Sequence, residues 1–254
     1  MTRVFVTATG TDVGKTFIAC ALARELLARG LKLRVLKPVA SGFDARSADQ
    51  SDPGKLLLAQ GLPPNVANLD ATTPWRFEAP LSPDMAARRE NRSLPFGDLV
   101  AFCTQRHAVD VTLIEGIGGV MVPLDAEHTV LDWIERLKPR IVLVAGSHLG
   151  TLSHTLTAVA CLQARKLEPA AVVISESPEQ PVPLEETAEA VRQRLPRVPI
   201  IALPRVTTGA PSAAAAAAIV ALADLLAPRK PRRRAKKRAR PSSRRAGQGG
   251  GSST

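Results

Sequence analysis

The sequence contains no tyrosine, and its phenylalanine and tryptophan bring the aromatic content to only 3%. A protein that grips single-stranded nucleic acid stacks bases on aromatic rings, and this chain offers few. Cysteine is equally scarce. Cys20, Cys103 and Cys161 are odd in number and lack metal-type spacing, which argues against a disulfide framework or a zinc site. Each falls in a helix-like apolar stretch, so they read as reduced thiols of a cytoplasmic protein. No apolar run approaches the roughly 18 residues needed to span a bilayer. The opening segment MTRVFVTATG reads as a strand entering a loop, because it has no apolar stretch followed by a small-residue cleavage site.

Acidic residues are missing from one region altogether. Of the 34 lysines and arginines, 11 lie between Arg229 and Arg245, where there is no Asp or Glu; the remaining 23 balance the 23 acidic residues. The formal charge of +11 therefore belongs to a tail, and the body is neutral. Residues 228–254 are rich in Arg, Lys, Pro, Gly and Ser and have too little apolar surface to offset the entropy of ordering. They are expected to form a disordered basic tail that binds polyanions without sequence preference, beside one domain over residues 1–227.

Within that domain, strand-like and helix-like segments alternate. Arg3–Ala8 is a β-rich run, followed by a glycine loop and a helical stretch from Lys15 to about Arg29, with Gly30 as a stop signal. Leu31–Leu36, Val111–Ile114, Ile141–Ala145, Ala171–Ile174 and Pro199–Leu203 read as further strands. Helical stretches include Thr151–Arg165, Leu184–Leu195 and the alanine-rich Ser212–Leu226. The strand runs are apolar at both alternating positions, as strands covered on both faces are. The expected fold is α/β: a single P-loop NTPase-type domain with a mostly parallel sheet and helices on both faces.

The chemistry begins where the first strand ends. Gly10-Thr11-Asp12-Val13-Gly14-Lys15-Thr16 carries Gly-x-x-x-Gly-Lys-Thr between a predicted strand and a predicted helix. Glycines let successive N–H groups turn toward phosphate oxygens, and the helix N-terminus adds positive potential. Lys15 is placed to reach the β- and γ-phosphates of ATP, and the Thr16 hydroxyl to ligate Mg²⁺. The usual glycine five positions before Gly14 is replaced by Thr9.

Three more residues converge on this loop by position. Glu115 ends the run Val111–Ile114 and precedes Gly116-Ile117-Gly118-Gly119. A carboxylate at the carboxyl end of a parallel strand stands at the sheet edge where ligands gather, and its oxygens suit a hard cation. Asp52, in Ser51-Asp52-Pro53, offers a second carboxylate, or else caps the short helix that follows. Lys37 closes the second strand before Pro38-Val39-Ala40-Ser41-Gly42; it reads as a compact cation for an anionic reaction centre, or as a surface lysine at a strand end.

Taken together, Thr11–Thr16 and Lys37–Gly42 resemble the dethiobiotin synthetase family. The resemblance continues through Ser51-Asp52, Pro74-Trp75-x-Phe77-x-x-Pro80-x-Ser82-Pro83 and Glu115–Gly119. It then takes in Pro123-Leu124, Asp132-Trp133, Gly146-x-x-Leu149-Gly150-x-x-x-His154 and Leu203-Pro204. These landmarks span about residues 4–206.

The resemblance implies an ATP- and Mg²⁺-dependent ligase. It would close a ureido ring on 7,8-diaminononanoate with CO₂, by way of a carbamate and a carbamic–phosphoric anhydride. It implies Thr16, Asp52 and Glu115 as metal ligands and Lys37 as the catalytic lysine. Nucleotide contacts are implied for Asp12, Val13, Gly14, Lys15, Thr16, Phe17, Asp52, Glu115, Gly116, Ile117, Gly118, Ser175, Pro204, Arg205 and Val206. Ser41 is implied as a substrate contact, and so is the helix start Thr151-Leu152-Ser153, contributed by a neighbouring subunit of a homodimer.

The chain departs from the family pattern at four places. Ala8 stands at a usual Gly, Gly10 at a usual polar residue, Asp84 at a frequent His, and Ser175 at a usual Asn facing the base. A partition-type ATPase, an interaction switch on the same fold, is the rival reading. Its signature lysine five residues before the P-loop lysine is Gly10 here.

Overall fold

Alternate residues of the first strand feed two separate cores. Phe5 packs into one, while Val4, Val6 and Ala8 pack into the other. That division is the geometric result of a period of two residues in a strand covered on both sides. The computed structural model describes residues 2–206 and 211–227. The expected basic tail, residues 228–254, lies outside the described residues.

The chain runs β1 (Thr2–Ala8), α1 (Lys15–Ala28), β2 (Leu33–Leu36), β3 (Val39–Ala40), a 3-10 turn (Ala45–Gln50), α2 (Asp52–Ala59) and α3 (Val66–Thr72). It continues through β4 (Trp75–Arg76), α4 (Pro83–Arg89), α5 (Phe96–Thr104), β5 (Val111–Glu115), α6 (Val130–Leu137) and β6 (Arg140–Gly146). Then come α7 (Thr151–Ala164), β7 (Pro169–Ser175), α8 (Leu184–Arg194), β8 (Ile200–Leu203) and α9 (Ala213–Leu226). Six strands form one sheet in the order β2-β5-β1-β6-β7-β8, and every neighbouring pair in it is parallel. A short parallel pair, β3 with β4, stands apart.

Helices α1, α2 and α9 bury Ile18, Leu22, Leu26, Leu56 and Leu222 against one face of the sheet. Helices α4 to α8 bury Ala86, Leu99, Trp133, Leu162 and Val191 against the other. Each fully buried leucine contributes about 2 kcal/mol of apolar burial. Trp133 meets Phe5 edge-on, with ring centroids 4.8 Å apart at 90°, the T-shaped arrangement favoured by the ring quadrupoles. Cys103 and Cys20 lie in these cores, and burial pushes both thiols up to about 12. Among the described residues no helix is long and apolar enough to cross a membrane.

The second strand starts at Leu33, two residues later than its apolar run. Helix α1 ends in a turn through Gly30, whose φ is 75°, and the Leu31 N–H bonds back to the Leu26 carbonyl. That bond closes the helix C-terminus and withholds Leu31 from the sheet. Pro199, which has no N–H, stays outside β8 and instead accepts from Val172.

Candidate active site

Parallel pairing decides which side chains meet. Strand β1 lies between β5 and β6, with Val6 opposite Glu115 and Ala8 opposite Val144. Loops leaving these three strands therefore gather at one carboxyl edge, where open α/β sheets bind ligands. Within β5, Glu115 alternates with Ile114 and shares the side of Leu113, the side covered by α1. The first turn of α1 carries Thr16, whose Oγ1 donates to Glu115 Oε1 at 2.8 Å.

The loop between β1 and α1 is tied to its surroundings. Thr9 N–H donates to Val144 O at 2.9 Å, and Val120 N–H to Ala8 O at 3.1 Å. Gly14 ends the loop with φ of 96°, a left-handed value that glycine adopts without steric cost. A Cβ there would also come within 3.0 Å of Ser175 Oγ. Lys15 is 8% exposed and its Nζ donates to Gly10 O at 2.7 Å. Burial, and then the neighbouring charge of Lys37, lower its pKa from 10.5 to about 8, partly opposed by Glu115, Asp52 and Asp12.

Lys37 is not a surface lysine. It is 4% exposed, and its Nζ donates to Glu115 Oε1 and to Gly116 O, each at 2.7 Å, with Asp52 Oδ2 3.8 Å away. Asp52 is not the helix cap either. Ser51 is the N-cap of α2, accepting from Gly54 N–H at 3.2 Å. The cap being Ser51, the Asp52 carboxylate in the first turn is left to face Lys37.

Gly54 is a site-building residue that motif reading passed over. A Cβ on it would lie 1.9 Å from Ala48 O and 2.9 Å from Asp49 Cα. Only glycine lets α2 start so close beneath the 3-10 turn, and that closeness sets the position of Asp52. The Gly-in-helix anomaly two residues after Asp52 was the available signal, since glycine inside a helix otherwise costs about 1 kcal/mol.

These groups open onto a cleft of about 770 Å³. One wall is the P-loop residues Thr11, Asp12 and Gly14 to Phe17 with Lys37; the others are Ala40–Phe43, Gln50–Pro53, Pro80–Pro83 and Ile117-Gly118. Ser41 lies on the cleft wall, and its buried hydroxyl has no hydrogen-bond partner. A second cleft of about 190 Å³ shares Asp12, Gly14 and Phe17 with the first. It collects Val13, Ser175, Pro204, Arg205 and Val206 from three separate parts of the chain. The start of α7 borders neither cleft: Thr151 is buried with its Oγ1 donating to Gly146 O, Leu152 is half-buried, and Ser153 is exposed.

The donor set around Glu115 suits a small hard cation. Its Oε2 is buried without a hydrogen-bond partner, and Thr16 and Asp52 add only oxygen. Magnesium is commonly held by one or two carboxylates together with substrate phosphates. Among the described residues no group of three His, Cys, Asp or Glu side chains is arranged for a metal.

Comparison with known proteins agrees with this geometry. The AAA domain family model matches residues 2–209. The ATP-dependent dethiobiotin synthetase of Acidiphilium cryptum is 48% identical over 204 residues, covering 78% of this chain and 91% of that protein. That of Methylobacterium nodulans is 48% identical over 198 residues, covering 75% and 88%. Among solved structures, the septum site-determining protein of Pyrococcus horikoshii in complex with Mg-ADP superposes with a TM-score of 0.54 at 17% identity. It covers 88% of this chain and 95% of its own. The cell division ATPase of Pyrococcus furiosus gives 0.53 at 18%, covering 89% and 98%. At such identities these last two establish the P-loop fold alone, whereas the first two align with about three quarters of the chain at nearly one identical residue in two. The chain belongs to the dethiobiotin synthetase family.

Proposed function

We propose that this enzyme closes the ureido ring of dethiobiotin from 7,8-diaminononanoate, CO₂ and ATP, releasing ADP and phosphate. The observation that carries the reading is the meeting of Lys15, Thr16, Lys37 and Asp52 at the head of one cleft, with Glu115 buried behind them on Thr16 and Lys37, in a chain 48% identical over 204 residues to a dethiobiotin synthetase. One substrate amine adds to CO₂ and loses a proton to give a carbamate. A carbamate oxygen then takes the γ-phosphoryl group as ADP departs. The second amine attacks the resulting anhydride at carbon, and phosphate leaves.

Each residue has a distinct task. The P-loop N–H groups and Lys15 orient the β- and γ-phosphates, as a helix N-terminus with an adjacent lysine does. Lys37, fixed by Glu115 and Gly116, places a positive charge where charge gathers on the carbamate and the transferring phosphoryl group. A preorganised cation in a dry site stabilises such a transition state without reorganising. The unpartnered Ser41 hydroxyl is a substrate contact. Thr16, Asp52 and Glu115 would hold Mg²⁺, which when bound offsets phosphate charge. Val13, Phe17, Ser175 and Pro204–Val206 enclose the nucleoside.

The uncapped start of α7 has no acidic residue in its first turn and follows Leu149, which is 84% exposed. A helix end of this kind binds carboxylates. By the family resemblance, this helix start serves the substrate carboxylate in the cleft of a partner subunit, and the enzyme works as a homodimer in the cytoplasm. The basic tail is a non-specific polyanion contact outside the reaction. The test is ADP release measured with and without diaminononanoate and bicarbonate. Dependence on both is expected; ATPase activity indifferent to the diamine and stimulated by DNA or membranes would overturn the reading.

A further inference from the structure

The second cleft is wired by hydrogen bonds to the turn that launches α7. Arg205 N–H donates to Glu176 Oε2 at 2.8 Å, and the other oxygen of that carboxylate accepts from Gln180 Nε2 at 2.9 Å. Gln180 Oε1 accepts from Ser147 Oγ at 2.7 Å. Ser147 and Ser177 then exchange backbone and side chain reciprocally. Ser147 N–H donates to Ser177 Oγ, and Ser177 N–H to Ser147 Oγ, both at 2.9 Å. From Ser147 the path continues into the 148–150 turn, where Thr151 N–H returns to His148 O at 3.1 Å and Thr151 Oγ1 to Gly146 O at 2.6 Å.

The arrangement is unusual in how fully its members are committed. Glu176 spends one oxygen on each neighbour, and the Gln180 amide uses both of its ends. Ser147 is wholly buried, where a hydrogen bond is electrostatically stronger and a lost one costs more than in water. Glu176, Ser177 and Arg205 line the second cleft, while Ser147 and Gln180 do not and have no part in the chemistry described above. A ligand that shifts the 204–206 wall must move the Glu176 carboxylate or break its bond. Either change reaches Ser147 through the Gln180 side chain, alongside the Ser177 pair that follows Glu176 in the chain.

We propose that Gln180 and Ser147 are positioning residues that couple occupation of the nucleotide cleft to the geometry of the α7 start, and so to diamine affinity. This rests on the reading above, in which the cleft holds the nucleoside and α7 receives the substrate carboxylate. The coupling is reciprocal, since linkage requires each ligand to change the affinity for the other by the same factor. Because α7 serves the partner's cleft in that reading, nucleotide bound in one protomer prepares the diamine site of the other.

The experiment is calorimetric titration of diaminononanoate into full-length enzyme, with and without a saturating non-hydrolysable ATP analogue and magnesium. The wild-type enzyme is expected to bind the diamine at least fivefold more tightly when the analogue is present. In Gln180→Met, which keeps the volume and deletes both amide bonds, that ratio falls to within twofold of unity, while analogue affinity changes less than threefold. Ser147→Ala shows the same loss. Analogue-independent diamine affinity in the wild type, or coupling retained in both variants, would overturn the inference. Failure of the wild type to bind diaminononanoate under any condition would instead sink the functional reading beneath it.

Discussion

The Nζ of Lys15 bonds to the carbonyl of Gly10, five residues back in the same loop, at 2.7 Å. This lysine is folded onto its own loop in a buried position that disfavours its charge, and its pKa is lowered to about 8, first by burial and then by Lys37. Its folded value therefore lies below the unfolded 10.5. The cost of keeping it charged is fully present below pH 8, and stability gains as pH rises from about 8 toward 10.5. Nucleotide binding runs the other way, because phosphates want the ammonium. Affinity for ATP without metal is expected to fall above pH 8, by up to about tenfold per unit, with proton uptake on binding. Titration calorimetry in two buffers of different ionisation enthalpy measures the uptake. Lys15→Met should bind weakly and without that pH dependence; an unchanged dependence would remove Lys15 from the phosphate site.

The neighbouring lysine should separate binding from turnover. Lys37→Gln is expected to lower kcat by about 10²–10³, the size of losing a preorganised oxyanion donor, with ATP affinity changed less than about threefold. That pattern marks a contact made chiefly in the transition state. Lys37→Arg should not rescue, because a planar guanidinium replaces the compact ammonium held between Glu115 and Gly116. Lys37→Gln, which removes the charge, should raise the Lys15 midpoint, since Lys37 is one of the charges that lower it. Steady-state rates set beside ATP titrations decide the matter, and normal turnover of Lys37→Gln would leave the lysine a structural partner of Glu115.

Gly54→Ala tests how Asp52 is positioned. A methyl group there overlaps the Ala48 carbonyl, which is backbone and cannot turn aside. The helix must shift, at an expected cost of about 1–3 kcal/mol in unfolding free energy. Moving α2 also moves Asp52 away from Lys37, so affinity for Mn²⁺ in the presence of nucleotide should drop several-fold while metal-free ATP binding stays near normal. Denaturant unfolding and manganese relaxation give the two numbers, and equal losses in both binding measurements would mean that α2 does not serve the metal.

Truncation after Ala227 addresses the basic tail. The body is electrically balanced and the tail has little apolar surface, so melting temperature and specific activity should stay within error. Salt-sensitive retention on heparin should disappear. A truncated enzyme with native unfolding and lost activity would assign the tail a role in the reaction.

Local chemistry made much of this molecule legible before any coordinates. The apolar runs placed all six strands of the main sheet, and the glycine loop placed one wall of the larger cleft, because periodicity and punctuation are written in neighbouring residues. What resisted was fixed by distant parts of the chain. Lys37 and Asp52 each had an innocuous local reading, as strand-end lysine and helix cap. Only the parallel register that brings β5 beside β2 shows the lysine buried on Glu115, and only the Ser51–Gly54 bond shows the cap filled by another residue. The β3–β4 pair likewise joins segments about 35 residues apart along the chain and leaves no trace in either dipeptide.

The sheet order also governs how the protein comes off the ribosome. Strand β1 is translated first, yet its partners start at Val111 and Arg140. At about 5–20 residues per second, the nascent chain carries an unpaired strand with an apolar Val4–Val6 centre for on the order of ten seconds. Neither side of the nucleotide loop can be pinned in that interval, because Val144 and Val120, which anchor its first residues, have not yet been made. Until residue 140 is made the strand edge stays open to aggregation, and a slow-codon stretch before that point would lengthen the exposure.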